Sequence, residues 1–241
     1  MGTKRTSRCT LLSMFMCLVA SGIWLAGSWL ARAQERPSVD LALVLSIDCS
    51  YSVDSEEFAL QTRGTAWALQ QPDILKAIQS GRHKRIAIAL VQWSGVANQT
   101  LALDWTLIES AEDAAAAAAK ISSMPRYLAH GSTSINGMMK FAARVLGNAP
   151  VKASRQVIDI SADGRNNAGG YTRPLRDALI AYGITLNGLA ILNEIPTLKY
   201  YFQREVIGGL GSFVIAAESY EDFRIAIHRK LLREIIGPGV S

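Results

Sequence analysis

Short, almost continuously apolar runs alternate along the chain with longer stretches whose apolar residues recur at helical spacing. From residue 41 to 47 every position but Ser46 is apolar. That run is too short to span a membrane and too continuous for a strand with one face in water. It predicts a central parallel strand covered on both faces. Residues 85–93 repeat the pattern, and residues 156–160, 184–192 and 213–216 give further strands. Residues 100–107 follow the second run after only a few loop residues. A parallel crossover needs a dozen or more, so this segment predicts an antiparallel strand at the sheet's edge.

The helical stretches carry start and stop signals. Asp54 and Glu57 form a capping arrangement ahead of Phe58, Trp67 and Leu69, which give an apolar stripe. Pro72 restarts a shorter helix to residue 78. Ser110 and Asp113 open a helix through the alanine run 114–119, a composition strong in helix propensity. Ile135, Met138, Met139, Ala142 and Val145 recur at core spacing. Pro174 starts another helix, with Leu175, Ala178, Leu179 and Tyr182 inward and Gly183 at its end. Residues 198–206 predict a short helix on which Tyr200 and Tyr201 pack the connection, and residues 220–236 predict the closing one. Strands alternating with helices imply an α/β fold: a doubly wound, mostly parallel central sheet with helices on both faces and one antiparallel edge strand. Ligands bind such sheets at the carboxyl ends of the strands, where strand order reverses.

The first strand stops at Asp48, and oxygen-bearing side chains then alternate: Asp48, Ser50, Ser52. In an extended loop, residues i, i+2 and i+4 project to the same side. A carboxylate and two hydroxyls thus converge into a hard-oxygen seat suited to Mg²⁺ or a similar cation. The same residues suit a polar turn that caps the next helix, and on this loop alone both remain open. Cys49 alternates away from the three and reads as a small core thiol.

Asp48-x-Ser50-x-Ser52, then Gly131-Ser-Thr133 in a later loop, then Ile160-Ser-Ala-Asp163-Gly164 after a strand together resemble the metal-ion-dependent adhesion site of von Willebrand factor A domains. The resemblance runs from about residue 39 to 235, and it implies the fold expected above. It also implies that Asp48, Ser50, Ser52, Thr133 and Asp163 hold a divalent cation, Mg²⁺ foremost and Mn²⁺ or Ca²⁺ as substitutes. The open position on that cation accepts an acidic side chain from a partner protein. Trp93-Ser94, Asp104-Trp-Thr106, Asp163-Gly-x-Asn166-Asn167 and Val206-Ile-Gly-Gly209 resemble, more narrowly, a bacterial branch of small exported proteins of unknown function. The sequence departs from the first motif at its fourth residue. Gly, Asn or Asp is usual there, and Tyr51 brings a ring that narrows access to the metal or reshapes the loop.

Two alternatives accompany the binding-module expectation. One is a structural metal site whose ligand position Tyr51 blocks. The other is a Mg²⁺-dependent phosphatase or phosphotransferase with Asp48 as nucleophile. Haloacid-dehalogenase-like enzymes also carry Asp at the end of the first strand, but their second carboxylate comes two residues on, where this chain has Ser50. No P-loop, nucleophile elbow or Gly-rich phosphate turn appears, so the expectation is a protein-binding, adhesion-type module and not an enzyme. Asn166 and Asn167 suit either the rim of the site or turn chemistry. His83, His130 and His228 lack zinc-ligand spacing, and His130 reads as a solvated loop residue. Trp93 reads as core or rim packing.

Composition adds the compartment. The 241 residues suit one domain. Lys4, Arg5 and Arg8 precede an uncharged, mostly apolar stretch from 11 to 30, and Ala31-Arg-Ala33 offers a cleavage site. We therefore expect a signal peptide over 1–33, a linker over 34–37, the domain over 38–236 and a tail over 237–241, in a periplasmic or secreted protein. The uncharged run 9–31 matches the ~20 residues that cross a bilayer, so an uncleaved membrane anchor is the alternative. Cleavage removes Cys9 and Cys17 and leaves Cys49 as the one thiol. It also removes four of the 25 basic residues and none of the 20 acidic ones, so the formal charge falls from +5 to +1. That balance gives no electrostatic case for nucleic acid. Arg224, Arg229, Lys230 and Arg233 of the closing helix are offset by Glu221, Asp222 and Glu234, and read as a solvated helix face. Mass spectrometry of protein from its native envelope should find Gln34 as the mature N-terminus. Recovery of intact Met1 or Gly2 from washed membranes would establish the anchor instead.

Overall fold

The computed structural model describes Gly2 and residues 36–239. The leader with Cys9, Cys17 and Ala33, the start of the linker and the last two residues of the tail lie outside the described residues. The elements are, in order, β1 (Ser38–Asp48), α1 (Ser55–Leu69), α2 (Pro72–Ser80), β2 (Ile86–Trp93), β3 (Gln99–Ile108), α3 (Ala111–Ser122) and α4 (Ile135–Gly147). There follow β4 (Lys152–Ala162), α5 (Thr172–Ala181), β5 (Ile184–Ile191), α6 (Leu198–Tyr201), a π-helical turn (Phe202–Val206), β6 (Val214–Ala217) and α7 (Phe223–Ile236). The six strands form one sheet in the order β3-β2-β1-β4-β5-β6. Every neighbouring pair is parallel except β2 with β3, which is antiparallel and at the edge as expected.

The two-residue alternation of a strand explains why β1 is apolar throughout. Leu41, Leu43, Leu45 and Ile47 face one core, shared with buried residues of α1, α2, α3 and α7. Ala42 and Val44 face the other, shared with α4, α5, α6 and the π-helical turn. Both capping boxes form: Asp54 accepts from the amides of Glu56 and Glu57 while Glu57 reaches back, and Ser110 and Asp113 do the same for α3. The stripe of α1 is less apolar than expected. Phe58 and Leu69 are buried, but Trp67 is half-exposed and Gln61, Thr62 and Thr65 are buried in its place. The Gln61 amide donates to the Asp48 carbonyl (3.3 Å), so this helix braces the end of β1.

On α5, Thr172 and Leu179 are buried and Leu175 and Ile180 pack against the second core. Ala178 and Tyr182, expected inward, lie outside, with Tyr182 83 % exposed. They sit four residues apart on one helix stripe, and the stripe that starts at Thr172 is the one the sheet covers. Tyr200 is likewise 66 % exposed and does not pack the connection, whereas Tyr201 is half-buried. Phe202 does the packing, against a strand position where only Gly188 leaves room, since a Cβ there would collide with its ring.

The closing helix departs most from expectation. Lys230 is fully buried, its ammonium 2.7 Å from Asp159 and 2.6 Å from Glu234, so it is not part of a solvated face. Asn187 donates to Glu234 (3.0 Å) and accepts from the Phe213 amide (3.1 Å). Arg155 donates to the carbonyls of Glu234 and Ile235, closing the helix's carboxyl end. Arg233 lies over the Phe213 ring, 4.0 Å from its centre.

Burial, then the charge of Glu234, pushes the Asp159 carboxyl from its ordinary 3.8 up to about 7, and Lys230 opposes the rise. A raised carboxyl pKa stabilises the fold fully below the ordinary value and loses that contribution as pH climbs through the raised one. Thermal melts should therefore show stability falling between pH 4 and about 7, with a shallower fall in Asp159→Asn. Lys230→Met strands two buried carboxylates without their cation, and urea titration should show a loss of about 3–5 kcal/mol.

Candidate metal centre

At the end of β1 the Cys49 amide still donates to the Trp93 carbonyl (2.7 Å), which carries sheet geometry one residue past Asp48. Val53 is buried in the first core, and Asp54 caps α1 immediately afterwards. The loop between these anchors is short, and its side chains alternate as an extended segment requires. Asp48, Ser50 and Ser52 project to one side, and Cys49 is buried on the other. Burial drives the Cys49 thiol up to about 12, so it is an inert core thiol.

The Ser50 amide donates to Asp48 Oδ1 (2.7 Å), the hydroxyls of Ser50 and Ser52 lie 3.3 Å apart, and Ser52 donates to Asp163 Oδ1 (2.8 Å). Thr133 arrives from the loop between α3 and α4. Its amide donates to Asn167 Oδ1 and its carbonyl accepts from the Asn167 amide, both at 2.9 Å. This places its hydroxyl against Gly164, where an added Cβ would sit 3.3 Å from it. Asp48, Ser50 and Asp163 are buried, Thr133 nearly so, and Ser52 is half-exposed. A cavity of about 630 Å³ opens over Ser52, Thr133 and Gly164.

Electrostatics distinguish this cluster from a polar turn. Burial first, and the nearby charge of Asp163 second, push the Asp48 carboxyl up to about 8, against the Ser50 hydrogen bonds and the Arg126 charge. Asp48 Oδ2 is buried without a hydrogen-bond partner. A buried acceptor left unpaired beside a second carboxylate is costly, and a cation bound between the two removes the cost. The donors are all hard oxygens, and no group of three His, Cys, Asp or Glu gathers among the described residues. The set therefore fits Mg²⁺, Mn²⁺ or Ca²⁺ chemistry and not a Cys/His zinc site.

Three residues that sequence reasoning missed support the cluster. Tyr220, at the entry to α7, donates to Asp163 Oδ2 (3.0 Å), and burial keeps its hydroxyl protonated. Arg126 donates to the carbonyls of Val53 (2.7 Å), Cys49 (2.8 Å) and Ser50 (3.2 Å), drawing the loop's backbone oxygens behind the site. Gln92 fixes the Arg126 segment in turn, donating to the Pro125 carbonyl and accepting from the Tyr127 amide, both at 2.8 Å. A lone Gln in the otherwise apolar β2 was the available signal.

Asn166 does turn chemistry, accepting from the Asn136 amide and donating to the Gly170 carbonyl, while Asn167 both holds Thr133 and lines the cavity. His130 is exposed beside Arg126, and Trp93 is buried core. Tyr51 is 81 % exposed, its ring tilted against that of His130 with centres 5.5 Å apart. It lines the mouth of the cavity without filling it.

Residues 38–239 match the family model described as "Protein of unknown function (DUF1194)". The chain belongs to that family. No curated protein matches it. Among solved structures, this DUF1194 chain is similar to proximal thread matrix protein 1 from the mussel byssus at 15 % identity and TM-score 0.61, over 84 % of this chain and 48 % of that one. The chain thus spans about half the length of that protein. A structure of the same byssus protein with a zinc-occupied MIDAS motif aligns at 15 % identity and TM-score 0.57, over 84 % and 49 %. The vWF domain of the pilus tip protein Mfa5 from Porphyromonas gingivalis aligns at 11 % identity and TM-score 0.55, over 84 % and 98 %. At such identities the likeness shows the fold, and that fold is the von Willebrand factor A-like one expected from the sequence.

Hydrogen bonds from a charged donor are worth about 1.5–3 kcal/mol each, and three loop carbonyls depend on Arg126. Arg126→Ala should lower stability by at least one such bond in urea titration of this DUF1194 domain, and Arg126→Lys should recover only part, since an ammonium lacks the planar fork.

Proposed function

We propose that the protein is an exported, metal-dependent protein-binding module. Asp48, Ser50, Ser52, Thr133 and Asp163 hold a divalent cation, Mg²⁺ foremost, at the floor of the cavity. The observation that carries this is the buried Asp48 Oδ2, which has no hydrogen-bond partner and feels the charge of Asp163. When bound, the cation supplies an electrophilic position for an outside carboxylate oxygen. The chain's own residues do the rest. The two Asp carboxylates balance charge, the three hydroxyls add neutral oxygens, and Tyr220 and Arg126 hold Asp163 and the first loop from behind.

The same geometry weighs against Asp48 as an enzymatic nucleophile. One of its oxygens is taken by the Ser50 amide, and its side chain is fully buried beneath the cavity's lining. Tyr51 stands at the mouth, which favours a ligand-accepting site over a blocked one. Export follows from the basic start, apolar run and Ala31-Arg-Ala33 at the N-terminus. No described helix is long and apolar enough to cross a membrane.

A ligand that binds only the folded state stabilises it by about 2.7 kcal/mol at a hundredfold excess over its dissociation constant. Millimolar Mg²⁺ or Mn²⁺ added to chelator-treated protein should therefore raise Tm. Asp48→Asn keeps the oxygen that accepts from Ser50, so the variant should fold and show no rise. Identical melts of wild type and variant at every metal concentration would sink the metal reading. Turnover of a phosphate ester that depends on Asp48 would replace it with the enzymatic one.

A further inference from the structure

We propose that the partner's contact segment is an acidic peptide stretch that binds at two points. The metal seat takes one carboxylate, and a basic groove beside it, built by Arg165 and Arg204, takes a second. The inference rests on the metal-dependent function above and names the partner's chemistry.

Arg165 follows Asp163 by two residues and lines the cavity over Ser52 and Thr133. It also lines a second hollow of about 260 Å³, with Thr197, Tyr200, Tyr201, Arg204 and Glu205. One guanidinium therefore borders both spaces. It is held there: it donates to Thr197 Oγ1 (3.0 Å) and lies 5.7 Å from the centre of the Tyr201 ring, whose hydroxyl accepts from the Asn166 amide (3.2 Å). A fixed planar fork with N–H groups to spare is suited to a carboxylate.

Arg204 is exposed and makes no side-chain hydrogen bond or ion pair among the described residues; only its carbonyl is used, by Arg173 and Arg176. It sits on the π-helical turn, an irregularity frequent at functional sites. Glu205, the acid in the hollow, is ion-paired with Arg173 at 2.8 Å, so Arg165 and Arg204 leave the hollow positive. Glu194 is the acid on the first cavity's wall and has no ion pair among the described residues. Its charge opposes any carboxylate in that cavity that the cation does not hold, so the positive hollow is the better seat for a second acid. Tyr200, exposed beside Arg204, offers a ring for the peptide between the two acids.

The test uses fluorescein-labelled Gly/Ser/Ala peptides carrying one Asp, or two Asp adjacent or a few residues apart, titrated against the full chain by fluorescence anisotropy. In Mg²⁺ the best two-Asp peptide should bind about tenfold tighter than the one-Asp peptide. Arg165→Gln/Arg204→Gln should lose that gain, and Arg204→Gln alone, at an exposed side chain, serves if the double variant fails to fold. Equal binding of one- and two-Asp peptides by wild type overturns the groove, while their release by chelator would leave the metal function standing. A gain that survives chelator but vanishes in the arginine variants supports the groove and refutes the metal function. Absence of binding to any of the peptides overturns the proposal.

Discussion

Parallel pairing of β1 with β4 brings two carboxylates together even though their charges repel. The register sets Ser46 opposite Ile160. Carried two residues on, it sets Asp48 level with Ala162 and Asp163 just beyond, on strands about 4.8 Å apart. Magnitudes decide why the fold accepts this. Leu41, Leu43, Val44, Leu45 and Ile47 are all buried, each contributing about 1.5–3 kcal/mol. Burying an ion costs several kcal/mol. The strands pair for their apolar faces, and the acids at their ends go where the strands go.

A second pair of buried carboxylates, whose Asp159 Oδ2 and Glu234 Oε2 are likewise without a hydrogen-bond partner, shows how the same chain supplies a cation internally. Asp159 and Glu234 share Lys230, with Asn187 and Arg155 ordering the surroundings. Asp48 and Asp163 receive serine and tyrosine hydroxyls and an amide, and the guanidinium of Arg126, whose charge reaches Asp48, is spent on backbone carbonyls and His130. One cluster is balanced by a buried ammonium, while the other is opposed only in part by the Arg126 charge and lies beneath the cavity lined by Ser52 and Thr133. That contrast separates a structural ion pair from a pair of buried acids with no ion-paired lysine or arginine among the described residues.

The fold was legible because its signals are local. Continuous apolar runs named the buried strands, and a short connection named the antiparallel edge. The Asp54/Glu57 and Ser110/Asp113 spacings named two helix starts that form as read. The loops bearing Asp48, Thr133 and Asp163 were legible through a motif, and the structure brings these loops together. The rest was hidden because it joins residues far apart in sequence. Arg126 reaches back 77 residues to Cys49, and Tyr220 back 57 to Asp163. Lys230 was misread because lysine is rarely fully buried, and its partner Asp159 lies on a different element. On α5, the choice of inward stripe fell to the sheet and not to the helix, so equally spaced residues went the other way.

Tyr51 follows from the same strand logic that built the site. Alternation through 48–52 sends Cys49 to the core, so Tyr51, which shares its parity, would also point away from Asp48, Ser50 and Ser52. No core remains to receive it past the end of β1, and it turns outward to the ring of His130. The tight turn that would demand Gly or Asn is relieved because Arg126 gathers the loop carbonyls and the Tyr51 amide is taken by the Gly131 carbonyl (2.9 Å). A bulky residue at this position therefore leaves the hydrogen-bonded Asp48, Ser50 and Ser52 in place. It raises one wall of the cavity instead, and under the proposed function it acts on which partners fit.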